Sequence, residues 1–122
     1  MAIESIYFDT SVPSAYFDVR EPKRREDTIL FWHTKVSGFK SFISDITLEE
    51  SRSTSDPALQ NNLLKLIGPF KTLKMNPKID LLARSYIKHD VFFERDLYDA
   101  YHAAFASFIK SPVLFLGILT IS

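Results

Sequence analysis

A chain of 122 residues that is 46% hydrophobic and 25% charged has the size and apolar content for one compact domain and no room for a second. Its fifteen basic and fifteen acidic residues cancel, so no global field draws in a polyanion, and any nucleic-acid binding has to rest on local patches or bound cations. The lack of cysteine excludes a disulfide framework and a zinc–thiolate site.

The start has neither the basic nor the apolar region of a secretory signal, which predicts a cytoplasmic protein. The most apolar run, Val113 to Ile121, is far shorter than the roughly 20 residues of a membrane span. Ile3 to Phe8 reads as a buried first strand that runs straight into Asp9, Thr10 and Ser11, with Val12-Pro13-Ser14 as the first turn of a helix. An acid at the carboxyl end of a buried strand sits where open α/β sheets bind ligands. Asp9 is therefore a candidate site residue, and equally a candidate helix N-cap, with Ser11 as the alternative cap.

Val19 to Asp27 is a charged connection containing Lys23, Arg24 and Arg25. These three could touch phosphates, but the Glu and Asp that come immediately after fit a solvated helix start better. Thr28 to Val36 carries apolar residues at helical spacing, and Gly38 is placed to end that helix. Lys40 to Ile46 is predicted as the second strand. Thr47 with Glu50 three residues on has capping-box spacing, and Glu50, in the first turn of a helix leaving the same sheet edge as Asp9, can also lean over the pocket.

Pro57 opens a helix with an apolar face through Leu59, Leu63, Leu64, Leu66 and Ile67, Lys71 to Met75 is a short third strand, and Pro77 opens another helix through Ile87. Strands alternating with helices argue for a parallel sheet covered on its faces. In the stretch Arg95 to Ala106, small residues at 100, 103, 104 and 106 suit close packing, while Asp96, Asp99 and His102 recur along one side. Asp96 reads as an N-cap. Asp99, beside alanines expected to face the core, wants a partner or a cation, and His102 fits a structural hydrogen-bond group better than a ligand.

Tyr7-Phe8-Asp9-Thr10-Ser11-Val12-Pro13-Ser14-Ala15-Tyr16-Phe17-Asp18 resembles the opening of a PIN domain, and within that family the chain looks like the VapC-like toxin ribonucleases. Two further motifs come in the family's order: Glu50 within Ile46-Thr47-Leu48-Glu49-Glu50, and Asp99 within Asp99-Ala100-Tyr101-His102-Ala103-Ala104. The resemblance runs to about Lys110. It implies a three-layer α/β/α fold with a central parallel sheet, and a metal-dependent endoribonuclease in which Asp9, Glu50 and Asp99 hold Mg²⁺ or Mn²⁺ against an RNA phosphodiester. Thr10 or Ser11 then resembles the hydroxyl that supports the metal shell, with Asp96 nearby. Hard divalent cations do prefer carboxylate oxygens. The toxin subgroup also implies a cognate antitoxin whose tail covers the cleft, and family members are commonly homodimers.

The similarity stops at the tail. Such domains continue with a strand, a fourth acid, often in a stretch resembling Trp-Asn-Phe-Asp-His-Ile, and a final strand, whereas this chain reads Ser111-Pro112-Val113-Leu114-Phe115-Leu116-Gly117-Ile118-Leu119-Thr120-Ile121-Ser122. Residues 1–122 are thus expected to form a single PIN-like domain lacking that fourth acid and the last strand, with weakened metal binding and a sheet edge prone to self-association. Leu116 to Ser122 can be encoded as CTT GGA ATT TTG ACC ATA TC plus any base. Dropping two bases gives TGG AAT TTT GAC CAT ATC, which reads Trp-Asn-Phe-Asp-His-Ile, so a frameshift accounts for the tail. Two other functions stay open: a catalytically impaired PIN-like binding partner of antitoxin or RNA, and, less well supported for want of a well-placed Lys, a pocket that accepts a phosphoryl group.

Overall fold

Ser5-Ile6-Tyr7-Phe8, a run of mostly β-branched and aromatic residues, forms the central strand β1 (Ser5–Phe8). The computed structural model describes residues 4–109 and the backbone of residues 112–115 and 118–121. Helices α1 (Ser11–Phe17) and α2 (Pro22–Thr34) lead from β1 to strand β2 (Lys40–Ser44). Helices α3 (Asp45–Arg52) and α4 (Pro57–Ile67) lead on to β3 (Lys71–Leu73), and α5 (Pro77–Lys88) and α6 (Leu97–Phe108) lead to β4 (Pro112–Phe115) and β5 (Ile118–Ile121). The sheet order is β3-β2-β1-β4-β5. β1 is parallel to β2 and β4, β2 is parallel to β3, and β5 closes the edge antiparallel to β4.

Period-two alternation along β1 divides the core between the two faces of the sheet. Ile6 and Phe8 join Val12, Ile43 and Ile67 on the side of α1, α2 and α4, where Phe8 also meets the rings of Phe31, Trp32 and Phe70. Tyr7 and Phe42 join Ile79, Ala83, Ala100, Ala104 and Phe105 on the side of α5 and α6. Ala100, Ala104 and Ala106 of α6 are fully buried, and their small side chains let this helix approach α5 and the sheet closely. The molecule is an α/β domain with helices on both faces of a mainly parallel sheet.

Strand order defines where a site can form. The chain builds β1, β2 and β3 outward in one direction, then returns through α5 and α6 to place β4 on the other side of β1. The connections leave β1 and enter β4 over opposite faces, so a crevice opens at the carboxyl ends of these two strands. Asp9 is the residue directly after β1 at this edge.

Several boundaries differ from the sequence reading. The charged stretch from Pro22 to Asp27 is itself helical, with Pro22 in the first turn and Lys23 paired to Asp27 one turn on at 3.0 Å. Its apolar periodicity is faint because Leu30 lies 62% exposed. That helix ends at Thr34, and Gly38 instead closes a short 3₁₀ turn, Val36–Gly38. Where a final strand is expected to be missing, the chain forms β4 and β5, whose backbones pair with β1 and with each other. The expectations for Lys110, Ser111, Leu116, Gly117 and Ser122 lie outside the described residues.

Candidate active site

Asp9 is 4% exposed at the carboxyl end of β1. Its Oδ1 accepts hydrogen bonds from the Ser11 backbone N–H at 3.2 Å and the Ser11 hydroxyl at 2.6 Å, an Asx-type turn that leads the chain into α1. Thr10, not Asp9 or Ser11, occupies the N-cap position of α1, and its side chain makes no capping bond. The Thr10 hydroxyl donates across the crevice to Glu50 Oε1 at 2.6 Å. Both hydroxyls directly after Asp9 therefore serve carboxylates of the candidate site.

Glu50 reaches the crevice from α3, but that helix starts earlier than expected. β2 ends at Ser44, which caps α3 by accepting from the backbone N–H groups of Ile46 and Thr47 at 3.2 and 3.4 Å, while the Thr47 hydroxyl accepts from the Ser44 N–H at 3.2 Å. The capping box joins Ser44 to Thr47 rather than Thr47 to Glu50. Glu50 lies in the second turn as a result and has no capping duty to compete with a role in the crevice. His102 of α6, 1% exposed, places Nε2 2.7 Å from Glu50 Oε1, the same oxygen that Thr10 uses.

Asp99 corrects an expectation. It lies one turn before His102 on α6 but is exposed at the rim rather than turned toward the core with Ala100. Asp96 holds the N-cap position of α6 without a side-chain capping bond, and its charge acts on Asp99 from within one turn.

The electrostatics of the three acids differ. Burial raises the Asp9 carboxyl to about 6, against the Ser11 hydrogen bonds, and Asp99 adds to the rise. Partial desolvation at the rim also raises Asp99, with Asp96 and Glu50 contributing like-charge repulsion. Burial pushes Glu50 up as well, but the hydrogen bonds from His102 and Thr10 outweigh it and hold the carboxyl below its ordinary value. Asp99 thus links the three acids electrostatically, acting on Asp9 and feeling Glu50. Among the described residues none of the three pairs with a Lys or Arg.

This donor set is hard oxygen throughout, the class that Mg²⁺ and Mn²⁺ prefer, and its uncompensated negative charge is what a cation would relieve. The three acids do not form a closed cage: among the described residues no group of three or more His, Asp or Glu is gathered tightly enough to hold an ion by itself. Mg²⁺ sites ordinarily take one or two carboxylates and complete the shell with water, so the residues fit an open, hydrated site.

Lys23, Arg24 and Arg25 stand apart from the hydrogen bonds of the crevice. Lys23 is 82% exposed and tied to Asp27, and Arg25 lines a shallow groove with Val19, Pro22, Glu26 and Ile29. Sequence reasoning missed the residues behind Glu50: Tyr7, which bonds to His102, and Ser44, which bonds to Tyr7. The available signal was a tyrosine inside an otherwise apolar strand, since a buried phenol needs a partner. A scan against protein-family models and a search of curated proteins returned no match.

Proposed function

We propose that the chain is a metal-dependent endoribonuclease of the PIN type, resembling the toxin of a toxin–antitoxin pair, with its site in the crevice between the carboxyl ends of β1 and β4. The observation that carries this reading is the convergence there of Asp9, Glu50 and Asp99 without a Lys or Arg counter-charge among the described residues, two of them raised toward the neutral form. Asp9, Glu50 and Asp99 would hold Mg²⁺ or Mn²⁺. Such a cation, when bound, supplies charge neutralisation at a phosphodiester and acidifies water. The protein's own residues do the rest: Ser11 fixes Asp9, and Thr10 and His102 fix Glu50. A polyanionic substrate then meets a net-neutral protein through the cation.

The direct test is Mn²⁺ titration of the whole chain, together with cleavage of single-stranded RNA with and without the ion. Binding that disappears in Asp9→Asn, with cleavage lost in Asp9→Asn, Glu50→Gln and Asp99→Asn while each variant keeps its fold, is the expected outcome. The open arrangement of the acids favours one second reading: a PIN-like protein impaired in catalysis that serves as a binding partner of an antitoxin or RNA. Mn²⁺ binding without cleavage, or neither, would select it.

A further inference from the structure

Behind Glu50 lies a line of polar groups buried in an otherwise apolar layer. Ser44 and Tyr7 are fully buried, His102 nearly so, and the oxygens and nitrogens that link them are 2.6 to 2.7 Å apart: Ser44 Oγ to Tyr7 OH 2.7 Å, Tyr7 OH to His102 Nδ1 2.6 Å, His102 Nε2 to Glu50 Oε1 2.7 Å. Its direction comes from counting lone pairs. Ser44 Oγ already accepts from the N–H groups of Ile46 and Thr47. A hydroxyl has two acceptor sites and one proton, so Ser44 donates to Tyr7. Tyr7 in turn donates its single proton to His102 Nδ1, which must be bare. The imidazole proton therefore sits on Nε2 and points at Glu50, an acceptor-only group when ionised.

We infer that Ser44, Tyr7 and His102 form a one-way hydrogen-bond relay, anchored on the N-cap of α3, that fixes His102 as its Nε2–H tautomer and pins Glu50 through Oε1, leaving Oε2 to face a cation. His102 is a positioning residue in this scheme and ligates nothing. Thr10 adds a second donor to the same oxygen, so both hydrogen bonds on Glu50 fall on one side of the carboxylate. The relay explains why a polar chain crosses a core face that could have been apolar: its polarity is set by a helix cap and delivered to the site. The tautomer stands on geometry alone, whereas the use of Oε2 rests on the nuclease reading above.

The test uses the metal-free full chain and two substitutions. Nitrogen-15 NMR of the histidine rings reports which nitrogen of His102 carries the proton. In His102→Gln the amide nitrogen reaches as far as Nε2 and keeps a donor for Glu50, whereas in His102→Asn it reaches only as far as Nδ1. Expected are the Nε2–H tautomer in the wild type, Mn²⁺ affinity within about threefold of wild type for His102→Gln, and a loss of about tenfold or more for His102→Asn, the scale on which groups that orient a metal ligand act. A proton on Nδ1 in the wild type, or equal losses in the two variants, overturns the relay. Should either variant fail to fold, Tyr7→Phe keeps the ring against Phe105 and removes only the hydroxyl: Glu50 still holds the proton on Nε2, and the Nδ1 resonance is expected to move downfield to that of a bare nitrogen that accepts no hydrogen bond, whereas an unchanged Nδ1 resonance overturns the relay. A wild type that holds the Nε2–H tautomer yet binds no Mn²⁺ overturns the role given to Oε2 and the nuclease reading, with the tautomer lock intact.

Discussion

Burial acts on Asp9 and Glu50 alike, and their neighbours make the outcomes opposite. Asp9 has the Ser11 hydrogen bonds to stabilise its charge, and burial outweighs them, so its carboxyl is raised to about 6. A raised carboxyl contributes stability that is complete below the unfolded carboxylate range and lost as pH climbs through the folded value. The metal-free protein should therefore lose stability between about pH 4 and 6, and Asp9→Asn, which keeps an acceptor for Ser11, should melt higher at pH 7 by on the order of 2–3 kcal/mol and equal the wild type below about pH 4. Glu50 runs the other way. Its lowered carboxyl stabilises the fold above its ordinary range and loses that contribution as pH falls through the folded value, so Glu50→Gln should cost about 1 kcal/mol at pH 7 by weakening two charge-assisted hydrogen bonds. Burial thus makes the neutralised variant more stable at Asp9, and the two hydrogen bonds to the charged carboxylate make it less stable at Glu50. Urea melts of both variants across pH 4–8 check the pair of signs, and a destabilised Asp9→Asn at pH 7 would make Asp9 a structural cap.

Among the elements, most strands and helices were legible because their signals are local: β-favouring residues in β1, proline at the starts of α4 and α5, small residues along α6. Junctions were less so. The end of β2 and the start of α3 differ from the sequence reading because Ser44-Asp45-Ile46-Thr47 offers two hydroxyls at capping spacing, and the tertiary bond between Ser44 and Tyr7 favours Ser44 as the cap. Ser44→Ala should accordingly cost about 2–3 kcal/mol, the sum of a lost N-cap and a buried phenol left short of a partner, whereas Asp96→Ala, at a cap position with no side-chain bond, should be close to neutral in a thermal melt. The end of α5 holds a conformational signal that spacing could not reveal. Val91 N–H bonds to Tyr86 O at 2.8 Å and Asp90 N–H to Ile87 O at 3.1 Å, a Schellman closure that puts Asp90 at φ 62°. Glycine adopts that backbone without strain, so Asp90→Gly should raise stability by about 0.5–1 kcal/mol, and a lower melting midpoint would argue against the closure.

At the scale of the whole molecule, completion of the candidate site turns on the residues after β4. The register pairs Phe8 of β1 with Leu114 of β4, and the strands are parallel, so one residue further on Asp9 and Phe115 reach the same edge. An acid carried just beyond β4 would meet Asp9 from the side opposite β2 and add a fourth carboxylate to the open arrangement of Asp9, Glu50 and Asp99. Here the sequence has Leu116 and Gly117, while the unshifted frame inferred from the codon arithmetic would write Trp-Asn-Phe-Asp-His-Ile across the same bases. On the proposed frameshift, that polar segment would have been replaced with an apolar one; β5 stands at an edge of the sheet as an antiparallel strand whose outer backbone groups can pair with a second copy. Restoring Trp-Asn-Phe-Asp-His-Ile in place of residues 116–122 should therefore tighten Mn²⁺ binding and reduce self-association at equal protein concentration, read by calorimetry and sedimentation. The gene itself is the sharper test: if the codons of Leu116 to Ser122 do not spell Trp-Asn-Phe-Asp-His-Ile after two bases are dropped, the frameshift is excluded, and the absence of a fourth acid belongs to the original design of the site.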